Sequence, residues 1–229
     1  MDLIWIIDFG SQYTQLITRK SRELGYASEI MTVDDCLEKL SKGERPLGFI
    51  LSGGPNSVFD DKTDYASIFE CQLPVLGICY GMQLISNYFG GKVERGVQGE
   101  YGLARVHTVG DFEISGIKSS ISTWMSHFDH VTKIPENFIQ ILESDNGLIA
   151  GIESKEHKIM GLQFHPEVQH TEHGKDILRH FFKDIASLKE NWSDEIMLEQ
   201  CLDEVRGVKG NKVLCAFSGG VDSLVAATI

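Results

Sequence analysis

Positive charge is scarce in this 229-residue chain: 21 Lys and Arg face 33 Asp and Glu, a formal net charge of -12. That balance repels nucleic-acid phosphates and anionic lipid, so neither nucleic acid nor a membrane surface is expected as a partner. Long apolar runs are missing as well. No stretch approaches the ~18 residues that a spanning helix needs, and the opening MDLIWIID enters a strand-like run with no basic leader and no small-residue cleavage site. A cytoplasmic protein is expected. Cysteine is sparse: Cys36, Cys71, Cys79, Cys201 and Cys215 are odd in number, widely spaced and free of any CxxC pair, which leaves no zinc or redox pattern. They read as reduced thiols, most of them small buried apolar residues.

What is present is ordinary globular material, 42% hydrophobic and 24% charged, in a length that one α/β domain can occupy. Apolar runs of strand length at 3–8, 27–33, 47–52 and 75–79 alternate with helix-period segments at 12–24, 34–42 and 82–89. That order predicts a parallel sheet covered by helices on both faces. Beyond Gly91 the runs shorten, and 103–109, 121–125, 138–143, 148–153 and 159–164 read as further strands, some antiparallel. An amphipathic helix over 174–187, with Ile177, Leu178, Phe181, Phe182 and Ile185 on one face, closes the first domain. A second helix follows, capped by Ser193, with Ile196, Met197, Cys201, Leu202 and Val205 as an expected buried stripe. The expected domains are 1–188, a linker helix within 189–210, and a fragment at 211–229.

Two segments carry chemistry. In PVLGICYGMQLI, Cys79 ends a buried strand between Gly77 and Gly81, directly before a helix. Small neighbours permit a tight turn that projects the side chain, the helix N-terminus favours thiolate, and the N–H of Tyr80 points where an oxyanion would form. The same pattern also fits a well-packed strand-to-helix turn without chemistry. In GLQFHPEV, a strand ends near His165, Pro166 turns the chain, and Glu167 follows. If both strands share one parallel sheet, His165 can act as general base and acid, with Glu167 orienting its ring. A surface histidine–carboxylate pair is the plainer alternative. A third reading makes His165, Glu167, His170 and His173 a zinc site, although their spacing fits no common zinc pattern.

The motifs DFGSQYTQLI, ILSGGPNSV, GICYGMQ, TWMSHFDHV and GLQFHPEVQHTEHG occur in this order. Together they resemble the class I (triad) glutamine amidotransferases across essentially the whole chain, and the first and last resemble the GMP synthetase branch of that family. The resemblance implies an α/β, three-layer, flavodoxin-like mostly parallel sheet with added antiparallel strands. It implies Cys79 as nucleophile, His165 as base, Glu167 as its orienting acid, and an oxyanion hole from the N–H groups of Gly54 and Tyr80. It implies L-glutamine as substrate, held by Gln83 and by the loop Ser126, His127, Phe128 and Asp129, with no cofactor for hydrolysis. Two departures stand out. Similar enzymes carry Gly in place of Phe128, where a side chain would strain a left-handed backbone, and Arg in place of Gly99. A catalytically silent module that binds glutamine or a synthetase partner is the alternative from another class.

The closing KVLCAFSGGVDSLVAATI reads as a strand at 212–217, a glycine turn and a helix start, an arrangement that holds phosphate. It resembles the pyrophosphate loop of ATP pyrophosphatases through Ser218, Gly219, Gly220, Val221, Asp222 and Ser223. In the family branch resembled, the domain that follows uses Mg-ATP and XMP and receives the ammonia, and the full-length enzyme is expected to be a dimer. A lone strand and turn cannot bury both faces of the strand, so an inert remnant is expected here.

Overall fold

The computed structural model describes residues 2–96, 99–110, 112, 114, 117, 119–208 and 214–228. Its first element, β1 (Ile4–Ile7), is buried throughout, and its side chains alternate between two cores. Ile4 and Ile6 face one, Trp5 and Ile7 the other, as the period of two along a strand requires. Around it run α1 (Thr14–Glu23), β2 (Ser28–Met31), α2 (Val33–Ser41), β3 (Gly48–Leu51), α3 (Ala66–Phe69), β4 (Val75–Ile78) and α4 (Tyr80–Tyr88). The chain continues through β5 (Lys92–Glu94), β6 (Glu100–Thr108), β7 (Ser120–His127), β8 (His130–Lys133), β9 (Ile139–Ser144), β10 (Ile149–Ser154) and β11 (Ile159–Leu162). Then come α5 (Gly174–His180), a π-helical turn at Phe181–Ile185, α6 (Asp194–Gly207) and α7 (Val221–Thr228).

The main sheet has the order β2-β1-β3-β4-β11-β10-β9-β6-β7. Its first five strands are parallel and the remaining neighbours are antiparallel. The parallel half has the doubly wound order that gathers sites beyond the carboxyl ends of its strands. Ile17 of α1 and Ile177 and Leu178 of α5 cover one face with Phe181 and Phe182. Cys36 and Leu40 of α2, Ile68 of α3, and Met82 and Ile85 of α4 cover the other. Three layers result, as expected from the alternation of runs. The chain divides into two compact units, Met1–Asn191 and Trp192–Ile229. Among the described residues no helix is long and apolar enough to cross a membrane.

Several expectations need correction. The helix over 174–187 is not continuous: after His180 it widens into the π turn, whose closing bond runs from the Ala186 N–H to the Phe181 carbonyl at 2.8 Å. Its expected apolar face is nevertheless buried. Residues 92–94 and 130–133 form a separate two-stranded sheet that no alternating run foretold. Ser193 does cap α6, accepting from the Ile196 N–H, but α6 has no buried residue: Ile196 and Leu202 of the expected stripe are half-buried, and Met197, Cys201 and Val205 are exposed. Residues 214–217 form no strand, for among the described residues no partner strand pairs with them, while 211–213 lie outside the described residues. Of the cysteines only Cys36 and Cys79 are buried, Cys201 and Cys215 being exposed.

Close packing sets the turn between β4 and α4. A Cβ on Gly81 would lie 2.3 Å from the Leu51 carbonyl oxygen, and one on Gly77 2.6 Å from the Gly81 backbone. Gly81→Ala should therefore destabilise the fold by about 1–3 kcal/mol, seen as a lower urea midpoint with an unchanged slope.

Candidate active site

Cys79 stands one residue beyond β4 with φ 53° and ψ -104°, a left-handed conformation that a side-chain-bearing residue adopts only under restraint. The restraint is visible on both sides of the residue. Its N–H donates to the Leu162 carbonyl at 2.7 Å, and its own carbonyl accepts from Met82 and Gln83 at 3.1 and 3.2 Å. The Gly81 N–H donates to Ser52 at 3.2 Å, tying the turn to the end of β3. Small residues at 77 and 81 let the sheet and helix close around it.

His165 follows β11, the neighbour of β4 in the sheet. Its Nδ1 and Glu167 Oε1 are 2.8 Å apart, with both side chains buried. The Cys79 thiol stands near enough to the imidazole to raise its proton affinity. Gly53 lies against this meeting point, for a Cβ there would be 2.9 Å from His165 Cε1 and 3.6 Å from Cys79 Cβ. Sulfur, imidazole and carboxylate thus converge from distant stretches of sequence. Burial works against a charged ring, but Cys79 and Glu167 outweigh it and push His165 up to about 10. Glu167 Oε2 is buried and has no partner among the described residues, so the imidazole is the group that compensates this carboxylate.

Two backbone donors belong to residues at the same place. The N–H groups of Gly54 and Tyr80 take no backbone acceptor among the described residues, and both residues line one cavity of about 540 Å³ with Cys79 and His165. Gly54 has no room for a side chain, because a Cβ would lie 2.6 Å from the Phe9 carbonyl oxygen. Gln83, Ser126, His127, Phe128 and Asp129 line the same cavity. Gln83 Nε2 donates to the Asp129 carbonyl at 2.8 Å, and the Ser126 carbonyl lies 3.6 Å from the Cys79 sulfur. The residues expected to hold glutamine therefore gather at one cavity with Cys79 and His165.

Residues 5–185 match the family model for glutamine amidotransferase class-I. The chain belongs to that family. It is 47% identical over its whole length to a GMP synthase [glutamine-hydrolyzing] from Staphylococcus carnosus and 46% identical to one from Staphylococcus aureus. In each case it spans only 45% of the relative's length. Among solved structures, a candidate GMP synthase component from Thermoplasma acidophilum is similar at 30% identity and a TM-score of 0.71, covering 87% of this chain and 98% of that one. A Thermotoga maritima glutamine amidotransferase, 20% identical with a TM-score of 0.56, shares the fold, over 91% of this chain and 94% of that one.

The two departures from the amidotransferase pattern have local accounts. Phe128 is not among the residues with positive φ, so the expected backbone strain is absent. Its ring is 47% exposed and stands at the rim of the cavity. Gly99 sits so close to its neighbours that a Cβ would meet the Tyr101 ring at 2.5 Å and the His127 carbonyl at 2.6 Å. An arginine there would require this loop to move.

Sequence reasoning missed the scaffold behind the base. The Tyr13 ring meets the His165 ring edge-on at 4.9 Å, and Trp124 Nε1 donates to the Tyr13 hydroxyl at 3.1 Å. The Thr171 hydroxyl donates to the His165 carbonyl at 2.7 Å and accepts from the Trp124 N–H at 3.0 Å. Gln163 Nε2 lies 3.7 Å from the Cys79 sulfur. All of these fall inside the five motifs, which was their only signal. Behind the substrate loop, His127 spans Glu100 Oε2 at 3.0 Å and the Asp129 carbonyl at 3.1 Å. Burial opposes ionisation of Glu100, yet hydrogen bonds from His127, Asn146 and Ser144 hold it below the ordinary carboxylate value.

The zinc reading gains no convergence. The His170 ring lies tilted 5.0 Å from that of Trp124, His173 pairs with Asp176 at 3.1 Å, and His165 is engaged by Glu167. At the other end of the chain, Ser218, Gly219, Gly220, Val221 and Asp222 are exposed. The Ser218 and Ser223 hydroxyls lie 3.1 Å apart where the glycine turn leads into α7.

Because the folded pKa of His165 is raised above its ordinary value of about 6.5, its charge contributes stability that is fully present below about pH 6.5. That contribution is lost as pH rises through about 10. Glu167→Gln should lower the His165 midpoint by roughly one pH unit or more, read as its Cε1 proton shift by NMR. The alkaline loss of stability should begin correspondingly earlier in the variant, and an unmoved midpoint would show that Glu167 does not hold the ring's charge.

Proposed function

We propose that this domain hydrolyses L-glutamine to glutamate and ammonia through a cysteinyl thioester. The observation that carries the reading is the buried run Cys79–His165–Glu167 facing a cavity that also presents two unused N–H donors. The Cys79 sulfur adds to the side-chain amide carbon, and the carbonyl electron pair moves onto oxygen. There the N–H groups of Gly54 and Tyr80 stabilise it, a donor of this kind contributing about 3–4 kcal/mol. His165 then delivers its proton to the departing nitrogen, which leaves as ammonia, and the carbonyl re-forms as a thioester.

Charge coupling suits the second half-reaction. Cys79 is one of the two groups that raise His165, so acylation of the sulfur removes that support and lets the ring lose its proton more readily. A neutral imidazole can take a proton from water as it attacks the thioester, releasing glutamate and restoring the thiolate. Nothing in this sequence of steps calls on a metal or an organic cofactor.

In a full-length enzyme the ammonia would aminate XMP to GMP in an ATP-using synthetase domain. That assignment is supported by the names of the relatives and by the SGGVDS remnant. We place the protein in the cytoplasm, consistent with nucleotide synthesis and the acidic chain.

Glutamate release by the 229-residue chain and by Cys79→Ala tests the reading. The variant should lose at least ~1000-fold in kcat while binding glutamine with similar affinity. Equal rates in the two proteins would leave only glutamine binding without turnover.

A further inference from the structure

Tyr80 contributes a backbone donor at the cavity, but its side chain points elsewhere and is held by a group outside the cavity lining. The residue is buried, and its hydroxyl donates to Asp61 Oδ2 at 2.6 Å. The same oxygen accepts the Tyr65 hydroxyl at 2.6 Å, while Asp61 Oδ1 accepts the Thr63 N–H at 2.9 Å. Asp61 thus accepts three hydrogen bonds, two of them short, of the charge-assisted kind, the stronger class of hydrogen bond. It lies seven residues beyond Gly54 on the excursion between β3 and α3, whereas Tyr80 opens α4.

Phe9 joins the same assembly. Its ring lies 6.0 Å from that of Tyr65 and 5.0 Å from that of Tyr80, and its carbonyl and Cβ are the atoms against which Gly54 packs. The two oxyanion donors therefore share one support, made of Phe9 on one side and the Asp61 carboxylate on the other. Donors of this type act only when held to within about 0.5 Å of their productive positions.

Building on the glutaminase reading, we propose that Asp61 is a positioning residue for the reaction: through the Tyr80 hydroxyl it fixes the Tyr80 N–H relative to that of Gly54. Asp61 touches neither substrate nor sulfur. Its effect should fall on the step in which charge develops on oxygen and spare the nucleophilicity of Cys79.

Asp61→Ala, Asp61→Asn and Tyr80→Phe in the 229-residue chain separate this from a general contribution to folding. Three quantities are measured: kcat and KM for glutamine, affinity for L-glutamate γ-semialdehyde, and the rate of Cys79 alkylation by iodoacetamide. The aldehyde adds the sulfur to a carbonyl, whereas alkylation displaces iodide and develops no oxyanion. Asp61→Ala and Tyr80→Phe should lower kcat by roughly 10- to 100-fold with KM within about threefold, weaken the aldehyde, and leave alkylation within about twofold. Asp61→Asn retains an acceptor oxygen and should recover most of kcat. Variant kcat values within about twofold of wild type, or alkylation falling in step with kcat, would overturn the proposal. A wild-type chain that neither releases glutamate nor captures the aldehyde would instead overturn the glutaminase reading beneath it.

Discussion

The site depends on a left-handed backbone at one residue. At φ 53°, Cys79 occupies a conformation that costs on the order of 1–3 kcal/mol, and the surroundings offset this with hydrogen bonds from three directions. β11 binds its N–H, α4 binds its carbonyl, and the end of β3 holds the Gly81 N–H two residues on. The strain is therefore distributed over β3, β4, β11 and α4, the elements that carry or lead into Cys79, His165, Gly54 and Tyr80. Relaxing the turn would require all of them to move, which explains why glycines with no space for a Cβ flank it.

Burial then sets the electrostatics. Water excluded from around His165 is replaced by fixed groups: the Tyr13 ring edge, the Trp124 carbonyl on its N–H, and the Thr171 hydroxyl on its carbonyl. In such a place a charge is stabilised only by its immediate partners. Glu167 is a constant partner, and the sulfur is one whose charge changes during the reaction. The proton affinity of His165 is thus tied to the state of Cys79, which in the proposed reaction lets one residue serve as acid and then as base without moving.

How much of this was legible in the sequence follows from how local each signal is. The strands up to residue 79 and helices α1 and α2 announce themselves by period, because each is buried on faces fixed within a few residues, whereas the single turn of α3 is too short to show one. Cys79 and His165 could be picked out because glycines bracket the first and a proline turn follows the second. The Tyr13–Trp124–Thr171 scaffold could not be deduced this way, as Tyr13 and Trp124 lie 111 residues apart and meet only through the folded sheet. The apolar stripe of α6 misled for the converse reason: period reveals an amphipathic face but not whether the chain supplies anything to cover it. The Phe128 departure looked strained only on the assumption that the replaced glycine would need positive φ.

Sheet register converts these local signals into a site. β4 and β11 are parallel neighbours with Gly77 opposite Gly161 and Ile78 opposite Leu162. Cys79 then leaves the sheet one residue past the last pair and His165 three residues past it, on strands about 4.8 Å apart. A slip of one residue would shift the base along the sheet by about 3.3 Å and turn every β11 side chain to the opposite face. Met160 and Leu162 on one core, and Ile159 on the other, make that slip costly. The apolar packing of β11 is therefore what aligns His165 with Cys79, and the energy that specifies the reactive geometry lies in hydrophobic contacts remote from any reacting atom.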